Sequence, residues 1–593
     1  MRRLGIQVLG TSAALDELRQ ALAPYGHELA AQAPAIDLLI EDGSQPVVQD
    51  LAGVAVMSLR LSIGAMSEWG LPVLQIRCYD RLQQLLAVLD IAPPSCGNGQ
   101  QLRRQAIARL IEWVALQVSG FSRYRGDFAQ RASAPAVPEQ SLEGLDGLAY
   151  LHRFNRTDDP GLMQKARTPL IKQLEHGLRT FADRPALEIA GLTLSYRQLL
   201  RHSLAIQQVL QPLLGTGQAP VVGICLDKSV GSYASILATL GCGAVYLPLE
   251  PGHPLPRQQA MLENAGAVVL LDDGQHPLRR HFMAVDVSHI DSQHMDDSAP
   301  LALTSPSADS ASMVLYTSGT TGQPKGVLLS QQNLAHFSAW YGQYVELTEH
   351  SRVLQFSSLS FDSSLVDLFA ALCQGATLIV PSEEQRRDPH QLVELIQRQR
   401  VSHAFLPPAL LSVLPLDRPL GLEHLLTGGD ICEPHVIAQM AGQCVLHNLY
   451  GPTEATVLIS RRRMQADDSN LNLGTPIANS QVLILDEQRR PVEDQVVGEL
   501  YIVGPGVSLG YVNQPQQTAE CFVRLVLPGG QTLRAYRTGD MAKWTAEGIE
   551  LVGRRDLQVK IRGFRVEPQE IEQCLRASQL FRQVAVVIDR DRR

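Results

Sequence analysis

The stretch "YTSGTTGQPKG", residues 316 to 326, decides how the sequence is interpreted. Its three glycines allow backbone N–H groups to turn toward an anion, while its hydroxyl side chains and Lys325 add donors and a positive charge. A Walker A loop needs a glycine directly before the lysine and a serine or threonine directly after it. This stretch has Pro324 and Gly326 at those positions. It therefore predicts a phosphate-binding loop that is not of the Walker A type, and the alternative is an ordinary surface turn.

The composition is that of a large globular protein with several domains. The chain has 593 residues, of which 45% are hydrophobic and 19% are charged. The chain has 51 basic and 60 acidic residues and no long basic run, so neither nucleic acid nor an anionic membrane is expected as a partner. No apolar stretch approaches the ~20 residues of a membrane helix. The nine cysteines are dispersed, which favours reduced thiols and a cytoplasmic protein.

Residues 1–130 are predicted to form a small α/β module of unknown role. Strand-like runs such as "LGIQVLG", "AIDLLIED", "VAVMSL" and "PVLQIR" alternate there with helix-like stretches such as "ALDELRQALAPYG". Alanine, proline and serine then mark a linker at 131–150. In the longer α/β region that follows, "DPHQLVELIQRQR" (388–400) has the spacing of an amphipathic helix and leads into a strand-like "VSHAFL". From about residue 495, short strand-like runs predict a β-rich unit.

Eight motifs follow one another in a fixed order. They are "LTLSYRQLL" (192–200), "LATLGCGAVYLPLEPGHP" (237–254), the 316–326 loop, "FDSS" (361–364), "NLYGPTE" (448–454), "GELYIVGPGVSLGY" (498–511), "YRTGD" (536–540) and "GRRDLQVKIRGFRVEPQEIE" (553–572). In this order they resemble the core motifs of the adenylation domains of nonribosomal peptide synthetases, within the superfamily of acyl- and aryl-CoA synthetases and luciferases.

This resemblance implies an adenylate-forming α/β fold. Residues 151–556 would form a large core of two α/β subdomains plus a β-rich subdomain, and 557–593 would begin a small C-terminal subdomain that is incomplete. The implied activity is that of an AMP-forming ligase, which joins a carboxylate to the α-phosphate of ATP and expels pyrophosphate. ATP and Mg²⁺ would be the cofactors. The acceptor would be the phosphopantetheine thiol of a partner carrier domain.

The resemblance also assigns roles to individual residues. The loop would hold the β- and γ-phosphates, Glu454 would bind Mg²⁺, Tyr450 would stack on adenine, Asp540 would accept hydrogen bonds from ribose, and Asp556 would be the hinge. The implied catalytic residues are Lys325, Thr320, Thr321 and Glu454. The implied nucleotide-binding residues are Thr317, Ser318, Gly319, Gly322, Gly428, Gly429, Asp430, Asn448, Tyr450, Gly451, Thr453, Asp540 and Arg554.

Substrate choice is expected to depend on "FDSSLVDLF" (361–369). In amino-acid-activating relatives an aspartate in this motif pairs with the substrate ammonium group, and Asp362 has that place. A buried carboxylate is costly without a cation, although a helix N-cap is the alternative for Asp362. Motif alignment gives the other pocket positions as Ser363, Val366, Phe405, Leu426, Gly428, Leu449, Val457 and Leu458. None of these is charged, so we expect a small or medium apolar amino acid, with valine, leucine, isoleucine, proline and alanine all open.

Two parts of the sequence depart from the family. The sequence ends at Arg593, before a later family motif that bears a lysine used in adenylation, so weak adenylation is expected from this chain alone. The two explanations are excision from a longer synthetase and interruption by an inserted or downstream auxiliary domain. Two other functions stay open: an acyl- or aryl-acid CoA ligase, which Asp362 argues against, and a non-catalytic scaffold, which Lys325, Glu454 and Asp540 argue against.

Overall fold

The chain divides into two compact units, Met1–Gln130 and Arg131–Arg593. In the computed structural model, the second unit is described from residue 155 to 577 and at 586, apart from 216–218, 304–305, 319–323, 416–417, 527–531, 557 and 562–563. Before residue 155, the structure describes the backbone of seven strands.

A mixed sheet forms the described part of the first unit. Its six strands lie in the order Leu29–Ala30, Ile6–Leu9, Leu38–Asp42, Met57–Met66, Pro72–Asp80 and Leu85–Ile91. The first four pair in parallel, and the last two join by antiparallel pairing. All four quoted strand-like runs overlap these strands, whereas the predicted helix-like stretches lie outside the described residues. The role of this module stays a prediction.

The smaller sheet of the second unit carries the phosphate-loop stretch. Its seven strands lie in the order Ala284–Asp286, Ala267–Asp272, Val221–Cys225, Val245–Leu249, Ala311–Thr317, Lys325–Ser330 and Gly510–Tyr511. The first five pair in parallel, and the last two are antiparallel. The two central parallel strands are buried at every position, as expected for a sheet covered on both faces.

The larger sheet has fifteen strands and combines two architectures. Thirteen lie in the order Gln481–Leu485, Gly498–Val503, Thr532–Thr545, Gly548–Arg554, Asn472–Pro476, Ser460–Arg463, Val445–Tyr450, His424–Gly428, His403–Phe405, Arg352–Leu354, Thr377–Val380, Pro185–Ile189 and Leu192–Ser195. Phe522–Val526 and Glu139–Ser141 extend it beside Thr532–Thr545. Pairing is parallel from Val445–Tyr450 through Pro185–Ile189, and it is antiparallel from Val445–Tyr450 toward the β-rich end. The antiparallel part thus begins before residue 495, where the β-rich unit was predicted to start. The prediction missed the strand Ser460–Arg463 because its sequence, "SRRR", has no apolar residues.

Helices cover these sheets. The described α-helices are Pro160–Ala166, Leu170–Thr180, Tyr196–Leu210, Val230–Gly241, Leu255–Ala265, Gln331–Tyr344, Ser364–Asp367, Phe369–Gln374, Glu383–Arg387, Pro389–Arg398, Pro408–Leu411, Pro434–Ala441, Pro515–Cys521 and Pro568–Ala577. Short 3-10 helices span Gln211–Leu213, Pro277–Arg280 and Thr453–Ala455, and a separate hairpin pairs Val559–Ile561 with Phe564–Val566. Within the described residues, no helix combines the length and apolarity of a membrane span.

The predicted amphipathic helix occupies Pro389–Arg398. Asp388 caps its start by accepting from the backbone N–H groups of residues 390 and 391, and proline takes the first helical position. Leu392 and Ile396 are fully buried one turn apart in an apolar cluster on the larger sheet. A second and larger apolar cluster includes residues of both sheets, with Trp544 and Tyr246 among its fully buried rings.

Three histidines form a stacked row on adjacent parallel strands of the larger sheet. The His403 and His424 rings are 5.0 Å apart, and the His424 and His447 rings are 5.2 Å apart. Tyr344 Oη lies 2.7 Å from His447 Nδ1, and His447 Nε2 lies 3.0 Å from His424 Nδ1. A cleft of about 480 Å³ opens beside the row. Burial, reinforced by the nearby cationic groups, lowers the pKa of His447 to about 3.

We predict that His447 makes the fold less stable in acid. An unfolded histidine titrates near pH ~6.5, so between that pH and about 3 the unfolded chain binds a proton that the folded chain does not. The free energy of unfolding should therefore fall with decreasing pH, by ~1.4 kcal/mol per pH unit for one histidine. In urea unfolding between about pH 7 and pH 5, His447→Gln should reduce this slope by an amount that grows to about one proton near pH 5. His289→Gln is the control, because His289 is exposed. Equal slopes for wild type and His447→Gln would contradict the assignment.

Candidate active site

The phosphate-loop stretch closes a hairpin between two strands of the smaller sheet. Thr317 pairs with Lys325 across the hairpin, and the predicted residues Gly319, Thr320, Thr321 and Gly322 lie outside the described residues. At Gly326, an added Cβ would meet the Val314 side chain at 2.9 Å, so the strand needs a glycine there. Among the described residues, Thr317 Oγ1 is buried without a hydrogen-bond partner. The hairpin therefore presents a polar atom that a ligand can satisfy.

Lys325 reaches a buried carboxylate from the other sheet. Its Nζ lies 3.1 Å from Glu454 Oε1, and the two side chains are 4% and 0% exposed. Tyr511 completes the cluster, because its hydroxyl donates to Glu454 Oε1 at 2.8 Å and lies 3.3 Å from Lys325 Nζ. The structure thus joins two sequence-predicted residues and adds one that the sequence analysis missed. The available signal for Tyr511 was its position as the last residue of "GELYIVGPGVSLGY".

A tightly folded turn holds Glu454 in place. Glu454 is in the 3-10 helix Thr453–Ala455, and the next two residues, Thr456 and Val457, have φ values of 57° and 71°. Such left-handed conformations cost non-glycine residues about 1 to 3 kcal/mol and concentrate at functional sites. At Gly451 an added Cβ would lie 2.3 Å from the Leu458 Cα, so the chain can fold back only over a glycine.

Asp362 contacts the same turn from the substrate motif. The Thr453 hydroxyl donates to Asp362 Oδ2, which brings the carboxylate beside the residue that precedes Glu454. The following helix, Ser364–Asp367, has Ser363 as its N-cap residue, without a side-chain capping bond. The Asp362 side chain is therefore aimed at the turn and does not take the N-cap position that was its alternative role.

Three of the predicted pocket residues, Phe405, Gly428 and Leu449, lie at or next to the carboxyl ends of three adjacent parallel strands. Phe405 is in register with Leu426, and Gly428 is in register with Leu449. An added Cβ at Gly428 would lie 2.1 Å from the Leu449 carbonyl oxygen, so the two strands could not approach so closely with any side chain there. The remaining predicted apolar residues, Val366, Val457 and Leu458, belong to the same apolar cluster as Leu426 and Leu449.

A chain of polar contacts links Tyr450 to the predicted hinge. The Tyr450 hydroxyl donates to Asp540 Oδ2, and Arg554 donates to Asp540 Oδ1 at 2.6 Å. Arg554 also holds both carboxylate oxygens of Asp556 at 2.7 Å. Burial, with the neighbouring Asp540 charge, raises the pKa of Tyr450 well above its ordinary value. Tyr450 is therefore a neutral donor throughout the physiological range.

Two predicted nucleotide residues have other partners nearby. The side-chain amide of Asn448 donates to the carbonyls of Asn470 at 2.7 Å and Asn472 at 3.1 Å, so it secures the loop beside the strand. The backbone carbonyl of Asp430 accepts from the Asn470 side chain at 2.9 Å. Between these, Gly429 has a φ of 85°, which a glycine adopts without strain.

The comparisons with known proteins agree with this arrangement. Residues 174–512 match the family model described as "AMP-binding enzyme". The chain belongs to this family. It is 33% identical over 486 residues to bacitracin synthase 3 of Bacillus licheniformis, a match that covers 81% of this chain and 8% of the relative. The chain thus spans less than a tenth of that relative's length, and the predicted resemblance to adenylation domains of peptide synthetases is confirmed.

Solved structures give the same result. NpsA-ThdA, an artificially fused adenylation-PCP di-domain protein from Klebsiella oxytoca, has 26% sequence identity and a TM-score of 0.63, covering 72% of this chain and 86% of its own. The NpsA N-terminal subdomain, in complex with 3-hydroxyanthranilyl-AMSN, has 26% identity and a TM-score of 0.56, covering 65% of this chain and all of its own. Three predictions are therefore confirmed at the level of the family: the adenylate-forming fold class, the assignment to AMP-forming ligases, and ATP and Mg²⁺ as the cofactors.

We predict that Lys325 and Glu454 stabilise the fold only together. Lys325→Met leaves the Glu454 carboxylate buried without its cation, which should lower the free energy of unfolding by about 3 kcal/mol in urea unfolding. The double variant Lys325→Met/Glu454→Gln should recover most of that loss. Lys543→Met is the matched control, because Lys543 and Glu550 are also 3.1 Å apart but are 25% and 42% exposed. A loss as large in the control as in Lys325→Met would contradict the prediction.

Proposed function

We propose that this chain activates a small or medium apolar amino acid as its aminoacyl adenylate, for transfer to the phosphopantetheine thiol of a carrier domain. The observation that carries this proposal is the contact between Thr453 and Asp362, because it holds a carboxylate beside Glu454. The same turn would then present both the acid that recognises the substrate and the acid of the phosphate site.

Recognition of an α-ammonium group follows from the chemistry of Asp362. A half-buried carboxylate favours an oppositely charged group placed against it. An amino acid supplies this cation, whereas a fatty or aryl acid does not. The side chain of the substrate would extend toward Val366, Leu426 and Leu449, which are buried and uncharged. Valine, leucine, isoleucine, proline and alanine are the members of this class.

The phosphate end would be formed by the hairpin and the Lys325–Glu454 contact. Thr317 Oγ1, Lys325 and the hairpin backbone are donors suited to phosphate oxygens, and Glu454 is the hard oxygen ligand that Mg²⁺ prefers. Mg²⁺, when bound, would supply neutralisation of the phosphate charge. With both reactants held in position, the substrate carboxylate oxygen bonds to the α-phosphorus of ATP, and the bond to the pyrophosphate leaving group breaks.

The remaining predicted residues would bind the nucleoside. We place adenine against the Tyr450 ring beside Gly428, Gly429 and Asp430, and the ribose hydroxyls at Asp540. The contacts of Arg554 with Asp540 and Asp556 support a connection between this site and the hinge. Rotation at Asp556 would bring the carrier thiol to the adenylate in a second step.

An aryl acid is the second candidate substrate. It is favoured by the similarity to the NpsA N-terminal subdomain, whose structure contains 3-hydroxyanthranilyl-AMSN. An aryl acid without an amino group offers no ammonium group for Asp362 to bind, so we expect it to bind more weakly than an aliphatic amino acid.

We predict that non-hydrolysable aliphatic aminoacyl-sulfamoyl adenosines raise the melting temperature of this chain. At about a hundred times its dissociation constant, a ligand adds roughly 2.7 kcal/mol to the stability of the folded domain. The panel should contain alanyl, valyl, isoleucyl, leucyl and prolyl analogues, their deaminated counterparts and a 3-hydroxybenzoyl analogue. Differential scanning fluorimetry should show stabilisation by aminoacyl analogues and little by the others.

The matched control uses the substrate carboxylate. Asp362→Asn should reduce the stabilisation by the aminoacyl analogues and leave the stabilisation by the deaminated analogues unchanged, because the substitution removes only the charge. Stronger stabilisation by the deaminated or aryl analogues would replace the amino-acid assignment with an acid ligase. If nothing in the panel stabilises the chain, a non-catalytic scaffold becomes the better description.

A further inference from the structure

Lys228, which lies outside the proposed phosphate site, donates hydrogen bonds to the segment that leads into the "FDSSLVDLF" motif. Lys228 follows the strand Val221–Cys225 of the smaller sheet, and its Nζ donates to the carbonyls of Gln355 at 2.7 Å and Phe356 at 2.9 Å. Burial lowers the pKa of Lys228 to about 7. The carbonyls belong to the segment that continues directly from the strand Arg352–Leu354 of the larger sheet.

A buried carboxylate stands at the other end of this segment. Asp367 is the last residue of the helix Ser364–Asp367 and is only 1% exposed. The backbone N–H groups of Phe356 and Ser357, at the start of the same segment, act to lower the pKa of this carboxylate. Burial raises the pKa of Asp367 well above its usual value, and the Lys228 charge acts in the opposite direction. The Lys228 ammonium is therefore the main compensating charge for Asp367.

The helix between these groups cannot fix its own position. It has four residues, lacks a side-chain cap and is far shorter than helices that are stable alone. Yet it carries Val366 and directly follows Asp362 and Ser363, all three of them predicted pocket residues. Its placement must come from tertiary contacts, and Asp367 is its only charged residue.

We propose that Lys228 and Asp367 are positioning residues for substrate recognition. Lys228 secures the start of segment 355–367 through its two hydrogen bonds, and its charge compensates Asp367 at the end of the segment. Together they would set where Asp362 and Val366 stand in the pocket. This inference rests on the proposed function of the site. It assigns a role in selectivity to two residues that do not themselves touch the substrate.

The surroundings of the pair are polar and well connected. Tyr233 donates to Gln355 Oε1 at 2.7 Å, and Arg386 donates to the Phe356 carbonyl at 3.0 Å. The other titratable groups that act on the pair are Tyr341, Glu250 and Glu383. Buried charges can often be replaced by apolar side chains without loss of stability. We therefore assign these two charges to the geometry of the pocket and not to the stability of the fold.

The test separates aminoacyl recognition from nucleotide binding. Isothermal titration calorimetry would measure the dissociation constants of AMP and of the aminoacyl-sulfamoyl adenosine that binds the wild-type chain most tightly. We expect Lys228→Met to raise the dissociation constant of the aminoacyl analogue about tenfold or more, with that of AMP unchanged within about twofold. Lys228→Arg should restore most of the loss, because it returns the charge and the donors.

Two further variants keep the test decisive. Lys228→Met/Asp367→Leu removes both charges, so it should fold even if Lys228→Met does not, and it should discriminate less between leucyl and alanyl analogues. Glu188→Gln is the control, because it breaks a partly buried pair, Arg352 with Glu188 at 2.8 Å, that lies outside segment 355–367. Its affinities should equal those of the wild type.

The outcomes distinguish the inference from the proposed function. Unchanged aminoacyl affinity and selectivity in the folded double variant, or an equal loss of AMP and aminoacyl affinity in both variants, would overturn the positioning role alone. A wild-type chain that binds AMP but no aminoacyl analogue would overturn the proposed function, and the positioning role with it.

Discussion

The buried contact between the Lys325 ammonium and the Glu454 carboxylate is the constraint on which the site depends. Lys325 begins a strand of the smaller sheet, whereas Glu454 lies in the turn that follows a parallel strand of the larger sheet. At 3.1 Å, and with almost no exposure to water, either charge alone would be strongly unfavourable. The pair therefore fixes the phosphate hairpin against the turn before any ligand binds. Tyr511, from a third strand, donates its hydroxyl to the same Glu454 carboxylate.

The turn that carries Glu454 is conformationally strained, and this strain accompanies the contact with Lys325. Thr456 and Val457 adopt left-handed conformations, and Gly451 accepts a contact that no side chain would allow. These features let one short turn direct Glu454 toward Lys325 and the hydroxyl of Thr453 toward Asp362. The position agrees with the general tendency of α/β proteins to bind ligands at the carboxyl ends of parallel strands. Loop geometry, more than any single side chain, thus brings together Asp362 and Glu454, the two acids proposed for the substrate and for Mg²⁺.

The order of the motifs was enough to predict the family and the fold class, because each motif couples a turn to a specific residue type. Contacts between distant segments were harder to foresee. The sequence predicted Lys325 and Glu454 as site residues, but it gave no reason to pair them through Tyr511, which is 57 residues beyond Glu454. Asn448 belongs to a predicted motif, yet its amide is used by a loop more than 20 residues later. The "SRRR" strand was missed because its neighbours, and not its own hydrophobicity, hold it in the sheet.

Lys325, in a strand of the smaller sheet, and Lys228, which follows one, each act on a carboxylate that comes after a strand of the larger sheet. They do so in different ways. Lys325 contacts Glu454 directly, so the pair fixes the distance between the hairpin and the turn. Lys228 binds backbone carbonyls, and it acts on Asp367 through the buried space between them. Direct contact suits a phosphate site, whose ligand always has the same geometry. A charge that acts across a segment suits the proposed side-chain pocket, because it holds the ends of the segment and leaves the residues between them free to line the pocket.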